Sequence, residues 1–324
     1  MADSGSRPEA AGLDLSVVIP VFNEESNLDE LVRRCVQTCD ALGCRYELVL
    51  VDDGSADASP AKLEKSIETH AGRVIGVLLN RNYGQHAAVL AGFQESRGAI
   101  VITLDADLQN PPEEIRTLYE KVMEGYDVVG SVRTPRQDSL FRRLSSALTN
   151  RMVRAATGVT MHDYGCMLRA YRRPIVDAML QCPERSTFIP VLANSLARTT
   201  AEVTVRHDAR ASGESKYDLF KLVNLQFDLL TSMTTFPLRL LSIGGVISAA
   251  LGIGFGVLIL VLRLVLGSEW ASQGVFTLLA ILFILTGAQF IGMGLLGEYL
   301  GRVYQNVQAR PRFFVARVVG RGAP

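Results

Sequence analysis

The chain has 324 residues, and its 33 Lys and Arg side chains balance its 33 Asp and Glu side chains to a formal net charge of zero. This length allows one large domain with an appendage. The neutral balance gives no support for nucleic-acid binding, which usually appears as a basic excess.

Short apolar runs alternate with helix-like segments in the first part of the chain. The runs predicted as strands are 15–19, 46–51, 74–79, 99–104 and 127–132. Helices are predicted over about 25–42, near 60–69, from about 84, and from 111, where prolines and acidic residues suit a first turn. This alternation predicts an α/β fold with a mostly parallel sheet and helices on both of its faces.

Two acidic clusters follow the second and fourth predicted strands. Asp52 and Asp53 close one strand, and Asp105 and Asp107 close the other. Ligands of open α/β sheets bind beyond the carboxyl ends of the strands, so these carboxylates are expected to face a cleft. Residues two apart in an extended segment point the same way, so Asp105 and Asp107 are expected to converge on one hard cation. The alternative is that both clusters are ordinary turns.

A polar turn follows the first strand, where Pro20 leads to Asn23 and Glu24. A carboxylate at the end of the next strand can accept the imide N–H of uracil or the N–H donors of guanine. A cation at the second acidic cluster, with Gln109 as a further ligand, would hold a diphosphate and neutralise its charge as it departs. These features predict a nucleotide-diphosphate site that has no P-loop.

The pattern changes beyond residue 134. Segments 137–157 and 215–236 are predicted as amphipathic helices of the kind that lie in a membrane interface, and the alternative is helices packed on the sheet. Residues 240–262 and 270–297 contain no charged side chain. Both stretches exceed the roughly 20 apolar residues that a spanning helix needs, so a transmembrane hairpin is predicted.

The distribution of Lys and Arg predicts the orientation of this hairpin. Basic residues precede the first stretch and follow the second, whereas the connecting loop carries Glu269 and no Lys or Arg. Because Lys and Arg favour the cytoplasmic side, both ends of the chain are expected in the cytoplasm. The N-terminus shows no apolar h-region, so no cleavable signal peptide is expected. The five cysteines fit a reducing compartment.

Three motifs resemble those of the family-2, GT-A-fold glycosyltransferases. They are VIPVFNE at 18–24, VDDGS at 51–55 and DADLQNPP at 105–112. The last motif is closer to the branch that uses a polyprenyl phosphate as acceptor, alongside dolichol-phosphate mannose synthase. Segments 80–86, 163–169, 184–190, 213–217 and 287–294 are similar to the members that transfer 4-deoxy-4-formamido-L-arabinose to undecaprenyl phosphate. The likeness covers nearly all of residues 15–315.

The resemblance implies a GT-A (Rossmann-like) domain and an inverting transfer of this sugar from its UDP donor, for lipid A aminoarabinose modification and polymyxin resistance. It implies Mg²⁺ or Mn²⁺ as cofactor. The implied partners are the UDP-sugar, undecaprenyl phosphate, the lipid bilayer and further copies of the chain in a tetramer. The implied location is the bacterial cytoplasmic membrane, with a multi-pass chain and a cytoplasmic catalytic domain.

The resemblance also assigns roles by position. The metal positions are Asp105, Asp107 and Gln109. Together with the residues identified above, the predicted nucleotide and cofactor positions are Pro20, Asn23, Glu24, Asp52, Asp53, Arg81, Asp105 and Ala106. The predicted contacts to the lipid phosphate are Arg133, Arg142, Arg143, Ser215 and Lys216, and Arg133 is also a candidate catalytic residue.

One departure from the family pattern concerns the catalytic base. Where some relatives that transfer glucose or mannose carry Gly-Asp-Phe-Arg, this chain has Gly-Cys-Met-Leu at 165–168. If a base is needed, Asp163 or Asp127 is expected to serve. A phosphate monoester has a second pKa near ~6, so the acceptor is largely dianionic already. We therefore expect Asp163→Asn to lose much less activity than Asp107→Asn.

The predicted organisation has six segments. They are a disordered N-terminus (1–14), a cytoplasmic GT-A catalytic domain (15–214), an amphipathic interface helix (215–236), two transmembrane helices (237–266 and 274–297) and a cytoplasmic basic tail (298–324).

Several alternatives stay open on the sequence alone. A glucosyl- or mannosyl-phosphopolyprenol synthase could use the same scaffold, and no residue by itself specifies the sugar. A non-catalytic membrane scaffold that binds nucleotide sugar is a rival from another class, although the intact metal positions argue against it. His86 and His162 are predicted as surface or satisfied histidines, with contact to the diphosphate as the alternative for His86.

Overall fold

The computed structural model of the protein describes residues 12–133, 166–182, 188–206, 275–307 and 311–321, and short helical pieces between 243 and 265. It divides into two compact units, one comprising 1–219 with 310–324 and the other comprising 220–309. The predicted disordered N-terminus falls mostly outside the described residues, as do the predicted amphipathic helices 137–157 and 215–236.

Eight strands and six helices build the described part of the first unit. The strands are β1 (Leu15–Val21), β2 (Tyr46–Asp52), β3 (Val74–Leu79), β4 (Ile100–Thr103), β5 (Val128–Arg133), β6 (Arg169–Arg172), β7 (Thr200–Val205) and β8 (Val315–Val319). The helices are α1 (Leu28–Leu42), α2 (Ser59–Thr69), α3 (Gln85–Glu95), α4 (Ile115–Met123), α5 (Arg173–Gln181) and α6 (Ile189–Leu196). A short 3₁₀ helix, Pro112–Glu114, precedes α4.

The strands form one sheet in the order β7-β5-β6-β4-β1-β2-β3-β8. β1 pairs in parallel with β2 and β4, β2 with β3, and β5 with β7. β6 runs antiparallel between β4 and β5, and β8 runs antiparallel beside β3. The prediction of an α/β fold with a mostly parallel sheet is therefore confirmed.

Helices cover both faces of the sheet because its strands are apolar on both sides. Along β1, Val17 and Ile19 belong to one core, whereas Val18 between them belongs to the other. Helices α1, α2 and α4 supply side chains to the first core, and α3, α5 and α6 supply the second. Because helices cover both faces, the ends of the strands stay uncovered, and the loops lie there.

The polarity of the strands decides which loops share an edge. β5 is antiparallel to β6, which is antiparallel to β4, so β5 points the same way as β4. The carboxyl ends of β1, β2, β4 and β5 therefore lie along one edge of the sheet. The loops that carry the predicted motifs follow three of these ends.

Some elements were not predicted. The segment 298–324 was predicted to be a basic tail, but Val315–Val319 forms the edge strand β8. Strands β6 and β7 and helices α5 and α6 were also missed. The sequence of β6, Arg-Ala-Tyr-Arg, is half charged, and a buried strand is hard to recognise in such a pattern.

The second unit contains the helix Val275–Val307, which is 33 residues long. Across the part of the chain that the structure describes, no helix combines the length and the apolar character required to cross a membrane. The two predicted spans stay predictions.

Candidate active site

A cleft of about 420 Å³ opens beyond the carboxyl ends of β1, β2 and β4. It brings together predicted residues from three motifs, namely Pro20, Glu24, Asp53, Asp105, Ala106, Asp107 and Gln109. Residues that the sequence analysis did not single out as site residues complete the lining, namely Val21, Phe22, Asn82, Gly84, Gln85 and Met167. The two acidic clusters therefore face one cleft, as their positions at the carboxyl ends of strands that run in the same direction predict.

Asp53 holds the loop between β3 and α3 against the end of β2. Its Oδ1 accepts a hydrogen bond from the Tyr83 amide at 2.8 Å, and its Oδ2 accepts one from the Gly84 amide at 2.9 Å. Its own amide donates to the Val21 carbonyl at 2.9 Å. Burial raises the pKa of Asp53, and the two amides that donate to the carboxylate oppose that rise.

Two glycines allow the loops around Asp53 to approach each other. Gly84 has φ 92° and ψ 157°, a region that is essentially restricted to glycine. Gly54 has φ 69°, and a Cβ at this position would lie 2.5 Å from the carbonyl carbon of Arg81. The Asp-Gly-Ser motif therefore needs its glycine because the backbone of the neighbouring loop passes directly beside it.

The turn after β1 is tied to the loop after β2. Asn23 donates its amide to Ser55 Oγ at 3.0 Å and accepts from the Ala56 amide at 2.9 Å through its side-chain oxygen. Its φ of 55° is left-handed, which asparagine tolerates better than most residues. Because Asn23 does not line the cleft, its observed role is to shape the turn that presents Glu24. The predicted nucleotide contact for Asn23 stays a prediction.

Two further predicted nucleotide residues lie outside the cleft lining. Asp52 is buried at 3% exposure, and its Oδ2 accepts from the Ser55 amide at 3.3 Å. Arg81 is exposed, and its guanidinium carbon lies 4.7 Å from the centroid of the Tyr83 ring. Asp52 supports the loop and Arg81 covers Tyr83, so neither position is that of a cleft residue.

Asp105 and Asp107 both line the cleft, and they reach it through a turn rather than through an extended segment. β4 ends at Thr103, and Leu108 adopts a left-handed φ of 59°, which is an outlier for a bulky residue. The Gln109 amide donates to Asp107 Oδ1 at 3.1 Å and closes the turn. The expectation that both carboxylates reach the cleft is met, but the extended geometry given as the reason was wrong.

Two carboxamides contact the carboxylate of Asp105. Gln85 Nε2 donates to its Oδ1 at 2.6 Å, and Asn110 Nδ2 lies 3.4 Å from its Oδ2. Asn110 is buried, and the Cys166 thiol approaches its Oδ1 at 3.7 Å. Ser131 Oγ lies 2.9 Å from Cys166 Sγ. The buried Cys166 therefore contacts Asn110, which in turn contacts Asp105.

The chemistry of this donor set fits a magnesium-like cation. Among the described residues, no group of three or more His, Cys, Asp and Glu side chains is arranged to hold a metal. Mg²⁺, however, is usually bound through one or two carboxylates together with substrate phosphates and water. Asp105 and Asp107 supply such a pair of carboxylates in the lining of the cleft, together with the side chain of Gln109.

Asp127 does not occupy the position of a catalytic base. It precedes β5 and therefore lies at the opposite edge of the sheet from the cleft. Its Oδ2 accepts from the amides of Arg198 and Thr199 at 3.0 Å each. Although burial tends to raise it, the pKa of Asp127 is lowered by these hydrogen bonds. The prediction of Asp127 as a base is wrong, because its carboxylate is committed to the loop before β7.

Several predicted site residues lie outside the described residues. They are Asp163, Arg142, Arg143, Ser215 and Lys216. Arg133 is the last residue of β5, so its backbone stands at the edge of the sheet that carries the cleft. These positions stay predictions.

His86 lies in the first turn of α3 but does not line the cleft. Its ring meets the Phe188 ring edge-on, with the ring centroids 5.2 Å apart. Burial lowers the pKa of His86 to about 4. The ring is therefore neutral near pH 7 and packs against Phe188. Its buried Nδ1 has no hydrogen-bond partner among the described residues, so His86 is not the surface or satisfied histidine that was predicted.

The sequence of the chain is similar to those of known proteins. Residues 16–180 match the family model described as glycosyl transferase family 2. A protein of Edwardsiella ictaluri (strain 93-146), named undecaprenyl-phosphate 4-deoxy-4-formamido-L-arabinose transferase, is 58% identical over 310 residues, which cover 96% of this chain and 95% of that protein. A protein of Pseudomonas aeruginosa (strain LESB58) with the same name is 61% identical over 305 residues, covering 94% and 90% respectively.

Solved structures also resemble the chain. One is glucosyl-3-phosphoglycerate synthase from Mycobacterium tuberculosis in complex with Mn²⁺, uridine-diphosphate and glucosyl-3-phosphoglycerate, with a TM-score of 0.47 and 19% identity. The match covers 68% of this chain and 79% of that chain.

Proposed function

The chain belongs to glycosyl transferase family 2, within the undecaprenyl-phosphate 4-deoxy-4-formamido-L-arabinose transferases, and we propose that it transfers this sugar from a UDP donor to undecaprenyl phosphate. It is therefore a glycosyltransferase, and the proposed product serves the modification of lipid A. The proposal rests on the sequence identity of 58% and 61% to the two transferases, which extends over nearly the whole chain. The acidic cleft is consistent with it.

The base of the donor is proposed to bind between Phe22 and Asp53. Phe22 is 46% exposed although it is a large apolar residue, and it lines the cleft. An exposed aromatic ring of this kind suits stacking on a nucleobase. An ionised carboxylate has about four lone-pair sites, so Asp53 can accept the uracil imide N–H while it still holds the Tyr83 and Gly84 amides.

The diphosphate is proposed to lie over Asp105, Asp107 and Gln109. These residues would hold Mg²⁺ or Mn²⁺, which would supply positive charge to the departing diphosphate. Gln85 and Asn110 each contact one oxygen of the Asp105 carboxylate. The Asx turn of Asp107 and the left-handed Leu108 fix the second carboxylate.

The acceptor phosphate is proposed to attack without a protein base. An oxygen of the phosphate forms a bond to the anomeric carbon on the face opposite the diphosphate, while the bond from that carbon to the diphosphate breaks and UDP departs. Because the acceptor has a second pKa near ~6, the attacking oxygen is already deprotonated at neutral pH. Arg133, Arg142, Arg143, Ser215 and Lys216 are the proposed contacts to this phosphate.

The lipid acceptor is proposed to lie in a bilayer. The charge-free stretches 240–262 and 270–297 support a membrane hairpin whose two ends face the cytoplasm. In this arrangement the enzyme is a multi-pass protein of the bacterial cytoplasmic membrane and takes its lipid acceptor from that membrane. Assembly into a homo-tetramer is proposed from the family resemblance alone.

The test is the mass of the lipid product. The purified full-length protein is incubated with undecaprenyl phosphate, Mg²⁺ or Mn²⁺, and single UDP-sugars in separate reactions. We expect a product with the formamido-arabinose donor, and no product when the metal is removed with EDTA. Transfer of glucose or mannose, without transfer of formamido-arabinose, would contradict the proposed sugar and leave the glycosyltransferase class intact.

A further inference from the structure

The loop between β3 and α3 contacts both acidic clusters of the cleft through consecutive residues. The Gly84 amide donates to Asp53 Oδ2 at 2.9 Å, and the Gln85 side chain donates to Asp105 Oδ1 at 2.6 Å. Asp53 and Asp105 follow different strands, β2 and β4, and are separated by the strand β1 in the sheet. This loop is therefore a direct connection between the two carboxylates.

The backbone at Gly84 makes this connection stiff. Its φ of 92° and ψ of 157° are nearly confined to glycine, and its carbonyl accepts from the Ala87 and Ala88 amides at 3.0 and 3.1 Å. Gln85 is the first residue of α3, so its backbone is fixed by the helix that follows. The hydrogen bonds of Asp53 therefore set where the Gln85 side chain begins.

A neutral amide that donates to a carboxylate can orient it for a metal. The hydrogen bond to Asp105 Oδ1 takes one acceptor site and leaves further lone pairs of the carboxylate for a cation. Such outer partners of metal ligands are worth about 10–100-fold in metal affinity. Gln85 lines the cleft and is exposed, so removing its amide does not open a cavity in the core.

We propose that Gln85 is a positioning residue for Asp105, and that the path Asp53–Gly84–Gln85 couples the proposed base-binding carboxylate to the proposed metal site. This inference rests on the proposed function only in that a divalent cation binds at Asp105. The coupling is reciprocal. Whatever moves the amides held by Asp53 changes metal affinity, and a bound metal steadies those amides.

Metal binding measured without turnover tests the positioning role. Free Mn²⁺ is followed by electron paramagnetic resonance while full-length protein in detergent is titrated with MnCl₂. We expect Gln85→Ala to weaken Mn²⁺ binding by about 10-fold or more. The matched control is Gln94→Ala, an exposed glutamine on the same helix, which is expected to bind Mn²⁺ like the unaltered protein.

The outcomes separate this inference from the proposed function. If the unaltered protein binds no Mn²⁺, both the metal site and the role of Gln85 are wrong. If it binds Mn²⁺ and Gln85→Ala binds as tightly or more tightly, the metal site stands and the positioning role is overturned.

A double-mutant cycle tests the coupling. Asp53→Asn keeps one acceptor oxygen and replaces the other with an NH₂ group, which cannot accept a hydrogen bond from a backbone amide. One of the two amides held by Asp53 therefore loses its partner, and the loop must shift. We expect Asp53→Asn to weaken Mn²⁺ binding in the unaltered background and to have little further effect in the Gln85→Ala background. Equal losses in both backgrounds would show that Asp53 does not act through Gln85.

A second perturbation covers the case in which Asp53→Asn unfolds. Gly84→Ala leaves both carboxylates in place but forces alanine into a conformation that it rarely adopts. The same dependence on Gln85 is expected for Mn²⁺ binding, with thermal unfolding recorded for every variant. A Gly84→Ala protein that folds and binds Mn²⁺ normally would also contradict the coupling.

Discussion

At the scale of single residues, the acidic side chains of the cleft are held by hydrogen bonds from loops distant in sequence. Asp53 accepts from residues 30 and 31 positions away, and Asp105 accepts from Gln85, 20 positions away. The carboxylates are predictable from the sequence because charge after an apolar strand is visible locally. The role of Gln85 is not predictable in this way, because nothing near that residue in the sequence indicates contact with Asp105.

The metal carboxylate Asp107 and the candidate general base Asp163 are expected to differ in their effect on turnover. Asp107→Asn should lower kcat by about 100-fold or more, because a metal contributes several kcal/mol to the stabilisation of a departing anion. Asp163→Asn should lose less than the roughly 100-fold that a general base supplies. Rates of lipid product formation, with folding checked by circular dichroism, measure both variants. Equal losses would return Asp163 to a direct role in the reaction.

His86 predicts a pH dependence of stability. Its pKa is lowered from 6.5 to about 4 in the fold, so the folded state favours the neutral ring. The resulting stability is present above pH 6.5 and is lost as the pH falls toward 4, because the unfolded chain then takes up a proton more readily. The Tm should therefore fall less steeply between pH 7 and 4 for His86→Gln than for the unaltered protein.

The control for this measurement is His70→Gln, at the end of α2, which removes a histidine without removing the contact to Phe188. If the His70→Gln profile follows that of the unaltered protein, the change seen for His86→Gln belongs to the ring beside Phe188. A His86→Gln profile parallel to the unaltered one would mean that the His86 ring does not stay neutral in the fold.

At the scale of elements, the sheet is predictable where strands are buried on both faces. The run at 74–79 carries no polar side chain, and the run at 46–51 is apolar apart from Glu47. They appear as β3 and β2 within one residue of the predicted bounds. The strand β6 was missed because its fully buried Arg169 makes the segment resemble a surface loop. The guanidinium donates through Nε to the Cys166 carbonyl at 2.9 Å, a partner that no local pattern reveals.

The loop contacts of the cleft predict different costs for two glycine substitutions. Gly43→Ala and Gly54→Ala both place alanine at a left-handed φ, 66° and 69°, which costs about 1–2 kcal/mol. A Cβ at Gly43 meets no atom within 4 Å, whereas one at Gly54 meets the backbone of Arg81 at 2.5 Å. Gly54→Ala should therefore lower the free energy of unfolding by about 1–3 kcal/mol more.

Chemical denaturation of both variants measures this difference, and binding of UDP should weaken only in Gly54→Ala. If the two glycines prove equally costly, the loops after β2 and β3 do not approach as closely as described.

The edge strand β8 predicts an effect of truncation. It covers the outer edge of β3, and Arg321 pairs with the largely buried Glu95 at 2.7 Å. A chain that ends at residue 310 would expose the edge of β3, so its Tm should fall by at least about 2–4 °C and its aggregation should increase. A chain that ends at residue 321 is the control. Equal Tm values for both truncations would show that β8 does not stabilise the sheet.

At the scale of the whole molecule, the chain leaves the first unit and returns to it. The first unit comprises 1–219 and 310–324, and the second comprises the 220–309 segment between them. The first unit contains the cleft that is proposed to bind the UDP-sugar donor. The second holds the stretches from which a membrane hairpin is proposed. The acceptor chemistry joins these two proposals, because undecaprenyl phosphate presents its phosphate at a membrane surface.

A competition reaction between two donors tests the identity of the transferred sugar. Full-length protein is given undecaprenyl phosphate, Mn²⁺, and equal concentrations of UDP-4-deoxy-4-formamido-L-arabinose and UDP-glucose, and the lipid products are resolved by mass spectrometry. We expect the formamido-arabinose lipid to predominate and Asp107→Asn to form almost none of it. A product that carries glucose, with the formamido-arabinose donor left unused, would show that the proposed sugar is wrong.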